Sequence, residues 1–95
     1  MAVKVLIKRK VADKQAPELE ALLRKMRALT LNQKGYISGE TFTRLDEPGV
    51  SMVISTWQSL DDWRAWTLSK ERIEVQERID KLLGAPTQYE VFENI

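Results

Sequence analysis

Residues 36–57 read YISGETFTRLDEPGVSMVISTW, and the rest of the chain is organised around this stretch. Tyr36 to Leu45 reads as one strand and Val50 to Trp57 as the next. Between them, Glu47-Pro48-Gly49-Val50 has Pro and Gly where a type II turn wants them, which makes the pair a hairpin. Toward the N-terminus, Gly35 suits a C-cap. Leu19, Leu22, Leu23, Met26 and Leu29 recur at helical spacing, and Pro17 suits a first helical position. A helix is therefore expected over Pro17 to Lys34. Before it, Val3, Val5 and Ile7 share one side of a period-2 pattern, a strand. Toward the C-terminus, Ser59-Leu60-Asp61-Asp62 has the outline of an N-cap with acidic first-turn residues. The helical stretch that follows breaks near Ser69, which can cap a second segment. Val75, Ile79, Leu82 and Leu83 stripe that segment, and Gly84 with Pro86 stops it. Tyr89, Val91 and Phe92 fall in a last strand.

The order is βαββαβ. It is best satisfied by an α+β, ferredoxin-like arrangement, with helices packed on one face of a four-stranded antiparallel sheet. No linker, repeat or composition shift divides the 95 residues, so residues 1–95 read as a single domain. If helices cover one face, the other should turn to polar residues. Instead, Val50-Ser51-Met52-Val53-Ile54-Ser55-Thr56-Trp57 places apolar or small residues on both faces. Leu6 and Phe92 also fall opposite their strands' main apolar sets. Such a pattern predicts a second cover, a partner's sheet in a homodimer, against the plainer reading of scattered exposed hydrophobes.

Absences exclude whole classes of chemistry. The chain has no cysteine, which removes disulfides, thiolate metal sites and thiol nucleophiles. It has no histidine, which removes Ser–His–Asp catalysis and the commonest ligand of zinc and haem iron. A metal site would need carboxylates alone, and no EF-hand spacing occurs, so neither a metal nor a cofactor is expected. Fifteen basic against fourteen acidic residues give a net charge of +1, which supplies no electrostatic case for nucleic acid or for an anionic membrane. Met1 to Lys10 has no signal-peptide core, and nothing approaches the length of a membrane-spanning helix. Cytoplasm is the expected compartment. Lys4, Lys8, Arg9, Lys10 and Lys14 read as a solvated edge that discourages strand-to-strand aggregation.

The concentrated signal is tryptophan. Trp57, Trp63 and Trp66 lie within ten residues of one another. Trp63 is expected to be core packing, whereas Trp66 is displaced by most of a turn and can line a cavity mouth. Gln76 is a polar amide beside an apolar stripe, either a satisfied boundary residue or a pocket group aimed at a ligand. On the strand after Gly35, alternation puts Tyr36, Ser38, Glu40, Phe42 and Arg44 on one face, a mixed row that lines a cavity or is simply solvated. Candidate small-molecule contacts are therefore Trp66, Gln76, Tyr36 and Glu40.

Two segments, Gly35-Tyr36-Ile37-Ser38-Gly39-Glu40 and Ser55-Thr56-Trp57-Gln58-Ser59-Leu60-Asp61-Asp62-Trp63-Arg64-Ala65-Trp66 followed by Ser69, carry a resemblance. Together with the element order, the chain resembles the antibiotic biosynthesis monooxygenase (ABM) domain family. That resemblance implies a dimeric α+β barrel with a pocket between sheet and helices in each subunit. It also implies members that oxygenate aromatic phenols without a cofactor, and members that degrade haem. Trp66 matches the pocket tryptophan of the haem-degrading branch. Ten residues further on, where that branch has its iron-binding histidine, this chain has Gln76. Its strand-one asparagine is also missing, with Ile7 and Lys8 in that region. Haem degradation is thereby disfavoured.

Three readings follow. One is a cofactor-independent monooxygenase of a small phenol- or quinone-like aromatic, with Tyr36 and Glu40 as candidate bases for the phenol's proton. Another is a non-catalytic dimeric binder of the same fold. The third, an amino-acid-sensing domain, is weakened because Ala12-Asp13-Lys14-Gln15-Ala16 lacks the glycine expected where backbone approaches a ligand.

Overall fold

The computed structural model describes residues 2–11, 16–93 and 95. Its elements are β1 (Val3–Lys10), α1 (Ala16–Thr30), β2 (Tyr36–Thr43), β3 (Val50–Trp57), α2 (Leu60–Thr67), α3 (Lys70–Leu83) and β4 (Gln88–Glu93). The strands form one antiparallel sheet in the order β2-β3-β1-β4, the ferredoxin-like arrangement. Lys14 and the loop whose missing glycine weighed against amino-acid sensing (12–15) lie outside the described residues. Among those described, no helix is long and apolar enough to cross a membrane.

Local chemistry sets the helix boundaries. Ser59 caps α2 by accepting from the Asp62 N–H at 3.1 Å, and Ser69 caps α3 by accepting from the Arg72 N–H at 3.5 Å. Gly84 ends α3 in the left-handed region, its N–H returning to the Asp80 carbonyl at 2.9 Å. Helix α1, in contrast, stops at Thr30, short of the expected Lys34. Side chains consume its last carbonyls: Thr30 Oγ1 donates to Met26 O at 2.7 Å and Gln33 Nε2 to Leu29 O at 3.1 Å. A tight turn then carries the chain to Gly35, which sits at φ 85° against Asp62 instead of capping the helix.

The hairpin forms where expected, with Val50 N–H bonded to Glu47 O at 2.9 Å. Its turn is not type II, because Gly49 does not take positive φ. Glycine is needed there for proximity: a Cβ would stand 2.9 Å from Val11 O. β2 ends at Thr43, not Leu45. Arg44 turns to Asp46, its Nε 2.6 Å from Oδ1, and Leu45 is exposed.

Two apolar clusters hold the layers together. Val3, Val5, Trp57 and Trp66 join the sheet to α2, and Leu19, Val75 and Ile79 join α1 to α3. α1 packs closely on α3, while the helix layer makes its main close approach to the sheet through α2 on β3. The rest of the space between layers is left to side chains, and a cavity opens there.

Candidate functional site

The cavity measures about 260 Å³ and lies between the helix layer and the sheet. Period-2 alternation delivers Val3, Val5, Ile7 and Arg9 of β1, and Ser51, Val53, Ser55 and Trp57 of β3, to the helix side. β2 reaches it by a detour. A bulge lies between Tyr36 and Ser38, so Tyr36 pairs with Trp57 and Gly39 with Ser55, and parity changes in between. Tyr36, Gly39 and Thr41 therefore line the cavity, while Ser38, Glu40 and Phe42 go to the opposite face. Tyr36 and Glu40 were expected on one face, and the bulge separates them. Trp66, Gln76 and Tyr36 meet at one cavity; Glu40, paired with Ile54 on an exposed strand, is not part of it. Gly39 has a specific reason to lack a side chain. A Cβ would stand 2.6 Å from the Tyr36 hydroxyl, which crosses the strand at that point.

One end of the cavity is aromatic. Trp57, 1% exposed, meets Tyr36 edge-on with ring centroids 5.4 Å apart, and stacks on Trp66 at 6.5 Å and 25°. Its indole N–H donates to Ser55 Oγ at 3.2 Å, so the ring is buried with its polar atom satisfied. Trp66 is 5% exposed, both core and cavity wall. Trp63 is half-buried, lines the cavity as well, and contacts Tyr89 edge-on at 6.1 Å.

The other end is polar, because Arg9 and Trp57 stand at opposite ends of the β1–β3 ladder. Arg9 is 7% exposed and Arg72 8% exposed, and both line the cavity. Arg72 donates to the Tyr89 hydroxyl at 2.6 Å and to Thr67 O at 3.4 Å, with its guanidinium carbon 5.3 Å from the Tyr89 ring centre. Burial raises the Tyr89 phenol above its ordinary pKa against the pull of Arg72 and Arg9, so it stays protonated at neutral pH. Burial also lowers the Arg9 guanidinium from its usual value, an effect opposed by Tyr89 and Asp80 and reinforced by Arg72. Gln76 uses its amide nitrogen twice, donating to Asp80 Oδ1 and to Thr87 Oγ1, each at 2.8 Å. These bonds tie α3 to the start of β4.

Sequence reasoning missed Arg9, Arg72 and Tyr89. Arg9, expected on a solvated basic edge, is instead buried. The signal was present, since Arg9 continues the Val3, Val5, Ile7 alternation. Arg72 precedes Gln76 by one helical turn and so shares its face.

A pocket between sheet and helices with Trp66 on its wall is what the sequence resemblance implied. The family model for antibiotic biosynthesis monooxygenase matches residues 2–78. This chain belongs to that family. Solved structures agree on the fold. A conserved protein from Methanosarcina mazei Go1 superposes with a TM-score of 0.91 at 18% identity, covering 100% of this chain and 94% of the other. Rv0793 from Mycobacterium tuberculosis gives 0.87 at 19% identity, covering 100% and 96%. SnoaB, a cofactor-independent oxygenase from Streptomyces nogalater, gives 0.85 at 16% identity, covering 99% and 93%. No curated protein matches this chain by sequence.

Proposed function

We propose that this ABM family member is a cofactor-independent monooxygenase of a small phenol, working as a homodimer. The observation that carries the proposal is the cavity: aromatic at one end, polar at the other, and set between sheet and helices. Its volume of about 260 Å³ equals that of about nine waters at ~30 Å³ each, room for one or two rings. Trp66 and Trp57 would hold the ring, with the Gln76 carbonyl oxygen and the Tyr36 hydroxyl supplying polar contacts.

In this reading an ionised phenol gives one electron to O₂, and the radical pair joins at the ring carbon para to the oxygen. The phenol's proton returns to the peroxide, which loses water to leave a quinone. One oxygen atom ends in the product and one in water. The protein's part is to bind, orient and exclude bulk solvent. Non-catalytic binding is the second reading, and a specific observation favours it. No carboxylate lines the cavity among the described residues, so no strong base awaits the phenol.

Oxygen uptake with 1-naphthol separates the two readings. The oxygenase should form 1,4-naphthoquinone faster than the spontaneous reaction, with one labelled atom incorporated from ¹⁸O₂. Saturable 1-naphthol binding without protein-dependent uptake would leave the binder.

A further inference from the structure

Three arginines line the cavity: Arg27 is exposed to solvent, whereas Arg9 and Arg72 bring two positive charges into its buried part, and the described residues supply little to neutralise these two. Arg9 Nε is buried and has no hydrogen-bond partner. No carboxylate lies within ion-pair distance of either guanidinium among the described residues, whose ion pairs belong to Lys8, Lys10 and Arg44 on the surface. Asp80 is the carboxylate whose charge both Arg9 and Tyr89 feel, and it is already committed. Its Oδ1 accepts from Gln76 Nε2 at 2.8 Å, Thr87 Oγ1 at 2.7 Å and Thr87 N at 3.0 Å. A buried guanidinium with an unsatisfied donor is costly for a fold to keep, and replacing it with an apolar side chain is commonly neutral or stabilising. A ligand carrying the missing negative charge would offset that cost.

We infer that Arg9 and Arg72 form an anion subsite at the polar end of the cavity, for a planar aromatic oxyanion. A carboxylate or the enolate of a hydroxyquinone has the required chemistry. Both present coplanar oxygens to the forked N–H donors of arginine. The aromatic body of such a ligand extends toward Trp57 and Trp66, so one molecule satisfies both ends. This inference rests on the small-molecule reading of the cavity and adds the ligand's charge to it. It also supplies what the lining lacks. With no carboxylate base present, two guanidinium groups favour a ligand that arrives ionised, or loses its proton on binding.

Three probes test it by titration calorimetry at pH 7: 2-hydroxy-1,4-naphthoquinone, which is ionised, its neutral 2-methoxy ether, and 2-naphthoate. The hydroxyquinone should bind about tenfold or more tightly than the ether, the worth of one charge-assisted hydrogen bond. Comparable binding of 2-naphthoate would show that the subsite takes carboxylates; weak binding would restrict it to enolates. In Arg9→Met the hydroxyquinone-to-ether ratio should fall to near unity, with a denaturation midpoint no lower than wild type. Arg9→Lys should keep part of the preference. A wild-type ratio near unity overturns the anion subsite whatever the variants do, and leaves the cavity as a neutral-ligand pocket. A preference fully kept in Arg9→Met likewise overturns it and makes Arg9 structural. Failure of all three probes to bind rejects the small-molecule reading and the subsite together.

Discussion

On the helix side of β3 stand Ser51, Val53, Ser55 and Trp57; on its other side stand Val50, Met52, Ile54 and Thr56. The helix side mixes tryptophan with small hydroxyls, and its neighbours on β1 end in a buried arginine. Space there is kept open under a helix layer that packs mainly on itself. The opposite side reads as plainer surface. Glu40, Ile54, Leu6 and Glu90 lie in one cross-strand row, with Phe42 and Met52 in the next, and Phe42 and Phe92 are 43% and 51% exposed. An apolar centre edged by Lys8–Glu90, 3.0 Å apart, suits contact with another protein surface better than contact with water. One strand thus has two unlike faces: buried polar groups beside the proposed ligand cavity, and apolar groups exposed where the proposed homodimer contact would lie.

The largest effect should come from the side that is already closed. Trp57→Ala removes a ring that contacts Tyr36 and Trp66, and it should cost about 3–5 kcal/mol in urea denaturation. A loss below about 1 kcal/mol would mean that the ring fills cavity space and holds no layers together. On the open side, Ile54→Asp puts a charge at the centre of the proposed sheet-to-sheet contact. Light scattering on a sizing column should give twice the chain mass for the wild type and the single mass for the variant, with the circular dichroism of a folded chain in both. A wild-type monomer at micromolar concentration would break the comparison, leaving Phe42 and Phe92 as ordinary exposed hydrophobes. The smallest effect is expected at Gly39→Ala, whose methyl would press on the Tyr36 hydroxyl and cost about 1–2 kcal/mol by overpacking. Combining it with Tyr36→Phe should recover most of that loss. Strictly additive costs in the four-variant cycle would show that the two groups do not meet.

The sequence by itself determined what nearest neighbours along the chain can decide. Ser59, Ser69 and Gly84 act on backbone groups within a turn of themselves, so both breaks around α2 and the end of α3 were legible as residue types. The element order followed from periodicity, and with it the sheet. Trp66, Tyr36 and Gln76 could be singled out because each is an unusual residue for its place. Tertiary structure decided the rest, for a reason of geometry. One extra residue at the bulge before Ser38 reverses every later side chain on β2, sending Glu40 outward and Gly39 inward, and no composition rule counts that residue. Likewise Arg9, Arg72 and Tyr89 come from three elements and become a cluster only when β1 lies beside β4 beneath α3. A lysine-rich strand looks like an edge in one dimension; alternation in three dimensions turned one of its cations into the cavity.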